Sequence, residues 1–296
     1  MTHTAQASIV ALTEASRWNL IKQKALRVQA CKAFSLFREE GIEPILIKGL
    51  AAARYYPDSE FRDSVDMDLA VAEYDFERAL VISNSAAAKG LAIDLHRELR
   101  HLDTFKWDDL VAHSTVLEFE TGSIRVLGAE DHLRVLCVHW LTDGGSNKDR
   151  LWDIYFAVEN RPADFDWDRF LNLVENNRRR WLICTLGLAN RFLGLDLTAT
   201  PVEDEASSLP SWLIKTVERE WASETKFWPL FHSVHDPSLF LKQIRKRLPP
   251  NPICATVLME GSFDAKTRIF YQVGTSLRRI GPSIINISKT LLSGSK

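Results

Sequence analysis

The fold is decided by residues 45–71, which read ILIKGLAAARYYPDSEFRDSVDMDLAV. This stretch begins with the short apolar run 45–47, which is typical of a buried strand. It ends with DMDLAV at 66–71, where charged and apolar residues alternate. Because successive side chains of a strand point to opposite faces, Asp66 and Asp68 are expected to project together while the apolar residues pack behind them.

The two aspartates indicate a site for Mg²⁺ or Mn²⁺, because paired carboxylates repel each other unless a cation lies between them. Lys48 and Gly49 follow the first strand, where one cation and the N–H groups of a turn could hold a phosphate chain. Arg62 precedes the first aspartate and could reach the same anion with its planar fork of donors. Metal-binding and phosphate-binding groups are therefore predicted within one short stretch.

Further motifs stand in a fixed order around this stretch. They are GIEPILIKGLA at 41–51, Tyr56-Pro57, Arg62, DMDL at 66–69, IDLH at 93–96, AEDHL at 129–133 and RLWDI at 150–154. This ordered set, which covers roughly residues 10 to 160, resembles a family of largely uncharacterised nucleotidyltransferases in the DNA polymerase β-like superfamily. Members of that superfamily move a nucleotidyl group from an NTP with two metal ions.

The resemblance implies an α+β fold, in which a polymerase β-like core of mixed sheet and flanking helices is followed by an α-helical domain. The resemblance also implies that Asp94 is a third carboxylate of the metal site. A two-metal site needs such a group on a neighbouring strand, because the second ion requires a further oxygen ligand. From the helical domain, the resemblance makes Lys148 and Arg150 possible triphosphate contacts.

Composition is that of a globular protein of two domains. The chain has 296 residues, of which 46% are hydrophobic, and we expect a catalytic domain at 1–129 and a helical domain at 130–296. No long apolar run or signal-peptide pattern occurs, so a cytoplasmic protein without a transmembrane segment is expected. The four cysteines are far apart in sequence and are predicted to be reduced core residues.

Charge is distributed unevenly along the chain. The net charge is −2, yet residues 240–296 contain ten Lys or Arg and only two acidic residues. A cationic end of this kind can bind nucleic acid, an acidic substrate or an anionic membrane surface, and it can also be a solvated helical face. An acidic partner for this region is therefore one of the expectations.

Before residue 130, segments with the hydrophobic period of a strand alternate with segments that have the period of a helix. After residue 130, only the helical period occurs. The first part is predicted to contain a helix at 9–40, a strand at 45–47, helices at 50–56 and 74–88, strands at 66–71 and 91–96, and a hairpin of 115–120 with 123–127. The second part is predicted to contain helices at 131–141, 148–158, 167–175, 180–193, 212–220, 239–247 and 253–272.

Each candidate also has a structural interpretation. Asp94 could form a hydrogen-bonded pair with His96, and Lys48 could simply reach solvent from a strand end. Arg62 could pair with nearby aspartates to hold the strands together. His96 and His139 lie on otherwise apolar elements, where a hydrogen-bonded core histidine is the more common case.

These observations favour a metal-dependent nucleotidyltransferase that transfers a nucleoside monophosphate from an NTP to a hydroxyl of an unidentified acceptor and releases pyrophosphate. The acceptor could be a small molecule, a peptide or RNA. Two alternatives stay open: a non-catalytic nucleotide-binding accessory module of a biosynthetic pathway, and a toxin-like nucleotidyltransferase acting on tRNA or protein.

Arg150 and Asp153, three positions apart on a predicted helix, could form an ordinary surface ion pair.

Overall fold

The computed structural model describes residues 14–57, 60, 62, 66–223 and 236–278. The chain divides into two compact units, one formed by residues up to Glu98 with Val111–Leu127, the other by Leu99–Leu110 with the chain from Gly128 onward. The assignment of a catalytic role to residues 1–129 and of a partner role to 130–296 stays a prediction.

The first described element of the first unit is a long helix, α1 (Glu14–Glu39). The predicted helix at 9–40 is confirmed over these residues, and its first positions lie outside the described part of the chain. The helix ends where Gly41 adopts a positive φ of 73°, which glycine reaches without a steric penalty. The N–H of Ile42 then donates to the carbonyl of Phe37 at 2.9 Å, so a carbonyl of the last turn is satisfied.

Within the described residues, the first unit contains one sheet of five strands in the order β3-β2-β1-β5-β4. The strands are β1 (Ile45–Leu46), β2 (Met67–Val71), β3 (Ile93–Arg97), β4 (Thr115–Phe119) and β5 (Gly122–Val126). Pairs β2–β3 and β1–β5 are parallel, whereas β1–β2 and β4–β5 are antiparallel. This mixed sheet with flanking helices confirms the predicted α+β core.

The helices between the strands are shorter than predicted: α2 covers Leu50–Ala53, and α3 covers Phe76–Ser83 after a 3-10 turn at Glu73–Asp75. The predicted extension of α3 to residue 88 is wrong. At its end the side chains of Ser83 and Asn84 both donate to the carbonyl of Leu80, at 2.9 and 2.7 Å. Such side chains compete with the backbone for helical carbonyls, which favours termination there.

Alternation along β2 places its residues as the sequence predicts from Met67 onward. Met67, Leu69 and Val71 belong to the same buried apolar cluster as Phe34 and Phe37 of α1. The intervening side chains of the strand must therefore point to the other face of the sheet. The core lies on the α1 face, and polar groups of β2 and β3 are left for the opposite face.

The second unit is helical in its described part. Its elements are α4 (Trp107–Ala112), whose last two residues belong to the first unit, α5 (Ala129–Thr142), α6 (Lys148–Glu159), α7 (Trp167–Leu171), α8 (Asn176–Leu193), α9 (Glu203–Ser207), α10 (Ser211–Ala222), α11 (Pro237–Arg247), α12 (Pro252–Leu258) and a helical segment at 269–278. Two short helices that the sequence did not predict, α4 with six residues and α9 with five, complete too few turns to show a clear helical period.

The predicted single helix at 253–272 is wrong, because α12 ends at Leu258 and the next helical segment begins at 269. Gly261 lies between them, and its carbonyl accepts a hydrogen bond from the indole of Trp181 at 2.9 Å. A Cβ on Gly261 would approach the ring of Tyr271 to 2.4 Å. The break between the two helical segments therefore coincides with a close approach that only glycine permits.

A network of buried charges joins the segment Leu99–Leu110 to α5 and α7. Arg134 donates to Asp103 at 2.8 Å and to Asp131 at 2.6 Å, and Arg169 donates to the other oxygen of Asp131 at 2.7 Å. Both guanidinium groups lie over the ring of Phe105. Two cations and two anions are thus buried with mutual hydrogen bonds, which is the condition under which proteins tolerate buried charge.

Two expectations from composition can be compared with the structure directly. All four cysteines are buried and are reduced thiols, as predicted. Burial raises the pKa of the Cys184 thiol to about 12, so it is held in its protonated form at neutral pH. Among the residues that the structure describes, no helix combines the length and the apolar character that crossing a bilayer requires.

Candidate metal and phosphate site

The candidate site lies on the face of the sheet opposite α1. Asp68 of β2 and Asp94 of β3 are register partners on parallel strands, and His96 follows Asp94 by one strand period. Leu69 and Leu95, which alternate with them, pack toward the apolar core. The three polar side chains therefore project from neighbouring positions on one face.

Strand β1 delivers Lys48 to the same place. The backbone N–H of Ile47 donates to the carbonyl of Asp68 at 3.0 Å, which extends the pairing of β1 with β2 by one residue. The ammonium of Lys48 then lies 2.5 Å from Oδ1 of Asp68. Gly49 follows with φ 61° and ψ −117°, a conformation open to glycine and strained for other residues, so the chain turns immediately after the lysine.

His96 joins the two carboxylates. Its Nε2 lies 3.0 Å from Oδ1 of Asp68 and 3.2 Å from Oδ2 of Asp94. The side chains of Asp68 and His96 are 8% and 11% exposed, whereas that of Asp94 is 57% exposed. The cluster is therefore buried at Asp68 and opens to solvent at Asp94.

The partners of Asp68 determine its charge. Burial by itself raises the pKa of this carboxyl, but hydrogen bonds from His96 and Lys48, and the charge of Lys48, outweigh burial and lower the pKa to about 2. Asp68 is accordingly a carboxylate at every physiological pH. A buried anion that stays ionised is ready to hold a cation.

The donor set fits a divalent metal ion. One ligand atom each from Asp68, Asp94 and His96 can be chosen so that all three lie within 4.8 Å of one another. Carboxylate oxygens suit Mg²⁺ and Mn²⁺, and an imidazole nitrogen suits Mn²⁺ better than Mg²⁺. These three residues could together supply part of the coordination of such an ion.

This arrangement agrees with what comparison of the chain with protein families finds. A family described as "uncharacterised nucleotidyltransferase" matches residues 4–194, about two thirds of the chain. The chain belongs to this nucleotidyltransferase family. Comparisons with curated proteins and with solved structures find no match. The family match contains all of the candidate site residues and ends at Gly194, the residue that terminates α8.

The other predicted residues of the first unit lie in different positions. Asp66 precedes β2 and is exposed, so its predicted place within the strand is wrong. It is not among the three residues grouped as metal ligands in the described chain, and its role as a ligand stays a prediction. Arg62 is half-buried, and its phosphate contact also stays a prediction. The alternative that Lys48 reaches solvent is wrong, because its ammonium is paired with Asp68.

The two cations predicted from the second unit lie at the start of α6. The guanidinium of Arg150 contacts Asp143 and lies 3.2 Å from Nε2 of His139, and the ammonium of Lys148 lies over the ring of Trp221 at 5.5 Å. Their contact with a triphosphate stays a prediction. His139 is partly buried, and its interpretation as a hydrogen-bonded core histidine stays a prediction.

The predicted surface ion pair of Arg150 with Asp153 is also wrong. Asp153 is buried at 2% exposure, so the pair could not be a solvated one. Arg150 contacts Asp143 in the turn before the helix instead. Asp143 caps the end of α5 and Arg150 lies in the first turn of α6, so the contact joins two helices and is not set by the period of either one.

The basic region at 240–296 is described as far as residue 278. Within that part, Arg268 donates to the carbonyl of Phe263 at 2.6 Å and lies over the ring of Trp212. Arg278 donates to a carbonyl of the last residue of α12 at 3.3 Å. Some of its cations thus serve intrachain contacts, and the acidic partner stays a prediction.

His96 is the residue whose importance the sequence understates. Its interpretation as a histidine with satisfied hydrogen bonds is confirmed, but its partners are the two carboxylates of the site. The signal was present in the spacing: Asp94 and His96 are two residues apart on a strand and must share a face.

Proposed function

We propose that the chain is a metal-dependent nucleotidyltransferase that moves a nucleoside monophosphate from an NTP to a hydroxyl of an acceptor and releases pyrophosphate. One observation carries the proposal: Asp68 and Asp94 are register partners on parallel strands, and a lysine ammonium lies beside Asp68. Membership of a nucleotidyltransferase family supports the reaction class. The donor set of the cluster supports Mg²⁺ or Mn²⁺ as the ion.

In this reaction the acceptor oxygen forms a bond to the α-phosphorus while the bond from that phosphorus to the oxygen bridging to the β-phosphate breaks in line. A bound Mg²⁺ or Mn²⁺ would neutralise phosphate charge and polarise the reacting oxygens. Asp68 and Asp94, with Asp66 as a further candidate, would hold the metal. Lys48, Gly49 and Arg62 would face the phosphates.

Asp94 is the group that we assign to the acceptor side. Its carboxylate is the exposed member of the cluster, whereas Asp68 is enclosed by Lys48 and His96. An acceptor hydroxyl can therefore reach Asp94 from solvent, and that carboxylate can take the hydroxyl proton as the new bond forms. Asp68, held as an anion by two neighbours, serves as a fixed ligand.

The partners that follow from this proposal are an NTP and an acceptor that is a small molecule, a peptide or RNA. A cytoplasmic site of action fits the four buried, reduced cysteines, because that compartment keeps thiols reduced. The class of acceptor can be read from the labelled product.

The test is transfer of α-³²P label from each NTP, with Mg²⁺ or Mn²⁺, into a lysate of the source cells. Two variants remove the proposed ligands: a double variant Asp66→Asn with Asp68→Asn, and Asp94→Asn. The matched control is Asp108→Asn, because Asp108 is exposed in α4 and lies in the second unit.

Label that appears with the wild type and the control, and that disappears with both ligand variants, would support the proposal. Its sensitivity to nuclease or protease would then identify RNA or protein as the acceptor. Absence of label from every NTP, in wild-type protein that binds Mn²⁺ and nucleotide, would overturn the proposal in favour of a non-catalytic module.

A further inference from the structure

The contact between Lys48 and Asp68 occupies one of the two oxygens with which Asp68 could bind the proposed metal. The ammonium lies 2.5 Å from Oδ1 of Asp68, and the two side chains are only 14% and 8% exposed. Metal ligands in proteins bind at about 2.0–2.6 Å. A lysine ammonium and a divalent ion held by the same carboxylate lie close together and therefore repel each other strongly.

We propose that Lys48 is a displaceable internal counterion: it neutralises Asp68 while the metal site is empty and leaves that carboxylate when a divalent cation binds. The inference rests on the proposed function, since it concerns the metal site of that reaction. Once displaced, the ammonium is available to the triphosphate that accompanies the ion.

The burial of Asp68 explains why a counterion is needed. An ionised carboxylate away from water is unstable unless it is paired, and Asp94 adds a second negative group at the register position beside it. His96 donates a hydrogen bond to Asp68, and Lys48 brings a full positive charge to the same oxygen. Without Lys48 the empty site would hold two carboxylates and no fixed cation at that oxygen.

The local backbone suits a lysine that moves. Lys48 lies after the end of β1 and before the turn at Gly49, so its backbone is outside the strand ladder. A lysine side chain has a flexible four-carbon stem and can carry its charge to a new partner without a change in the backbone. His96, in contrast, is fixed on β3 within the sheet.

Three roles for Lys48 predict different changes in affinity. If Lys48 binds only phosphate, its replacement by methionine should weaken nucleotide binding and leave Mn²⁺ binding unchanged. If Lys48 has a purely structural role, the same replacement should weaken both kinds of binding. A displaceable counterion competes with the metal, so its removal strengthens Mn²⁺ binding while it weakens nucleotide binding.

The experiment is calorimetric titration of the full chain with Mn²⁺ alone, without nucleotide. Lys48→Met should bind Mn²⁺ at least about tenfold more tightly than the wild type, because a competing charge at the ligand oxygen has been removed. Lys48→Arg, which keeps the charge, should stay near the wild type. The matched control Lys89→Met removes an exposed lysine of the same unit and should not change the affinity.

Unchanged or weaker Mn²⁺ binding by folded Lys48→Met would overturn the inference, as would Mn²⁺ binding that survives Asp68→Asn. A measurement on the wild type covers the case in which the methionine variant does not fold. Amine-reactive labelling read by mass spectrometry should increase several-fold at Lys48 when Mn²⁺ is added, with no change at Lys89. Labelling of Lys48 that does not respond to bound Mn²⁺ would contradict displacement.

The titration separates this inference from the proposed function, because it requires no turnover. Suppose that Lys48→Met binds Mn²⁺ more tightly and that the wild type transfers no label from any NTP. This pair of results would support the counterion and overturn the transferase. Label transfer by the wild type without a gain in Mn²⁺ affinity would support the transferase and overturn the counterion.

Discussion

Replacement of Arg134 by methionine should destabilise the second unit strongly, because Arg134 neutralises a buried anion. Its side chain is 2% exposed and that of Asp103 is 1% exposed. Methionine keeps most of the volume and removes the charge, so Asp103 loses the cation that it contacts at 2.8 Å. Asp131 retains its bonds from Arg169.

The magnitude follows from the number of groups left unpaired. Breaking a buried ion pair by removing one partner costs about 3–5 kcal/mol, mainly because the remaining charge is left without compensation. Asp103 keeps two hydrogen bonds from backbone N–H groups, at 2.7 and 3.1 Å, which limit the loss. We therefore expect the free energy of unfolding to fall by about 3 kcal/mol, the lower end of that range.

Urea unfolding followed by tryptophan fluorescence measures this change in the appropriate unit. Of the nine tryptophans, all but Trp18 lie in the second unit. The matched control is Arg179→Met, since Arg179 makes a bidentate pair with Glu205 in the same unit but both side chains are partly exposed. An exposed pair of this kind contributes about 0–1 kcal/mol. Equal losses for the two variants would refute the reasoning that burial sets the cost.

Two further predictions concern pH and packing. The folded pKa of Asp68 is about 2 against an ordinary 3.8, so its ionisation stabilises the fold by about 2 kcal/mol at pH values above 3.8, and this stability is lost as the pH falls through 2. The difference in unfolding free energy between wild type and Asp68→Asn should shrink accordingly between pH 5 and pH 2, and a constant difference would contradict the assignment. Gly187→Ala should cost about 1–3 kcal/mol in urea unfolding, because a Cβ at Gly187 would lie 2.3 Å from the backbone oxygen of Ala206. An unchanged unfolding midpoint would contradict this prediction and would show that α9 can move away from the added Cβ.

Sequence alone determined the elements whose pattern is local. Alternation fixed which residues of β2 face the core. The same period placed Asp68 on the polar face, and the family resemblance added Asp94 on the next strand. These inferences succeed because the side-chain direction of a strand or helix is set by its own backbone geometry.

Tertiary structure alone decided which polar groups meet. No spacing along the chain relates Lys48 to Asp68 or Arg134 to Asp103, and each contact exists because strand register or helix packing brings distant segments together. Sequence could name the carboxylates of the site but not the cation that already neutralises one of them. The physical reason is that a charge selects its partner by distance and burial in the folded chain, and both are fixed only when the segments pack.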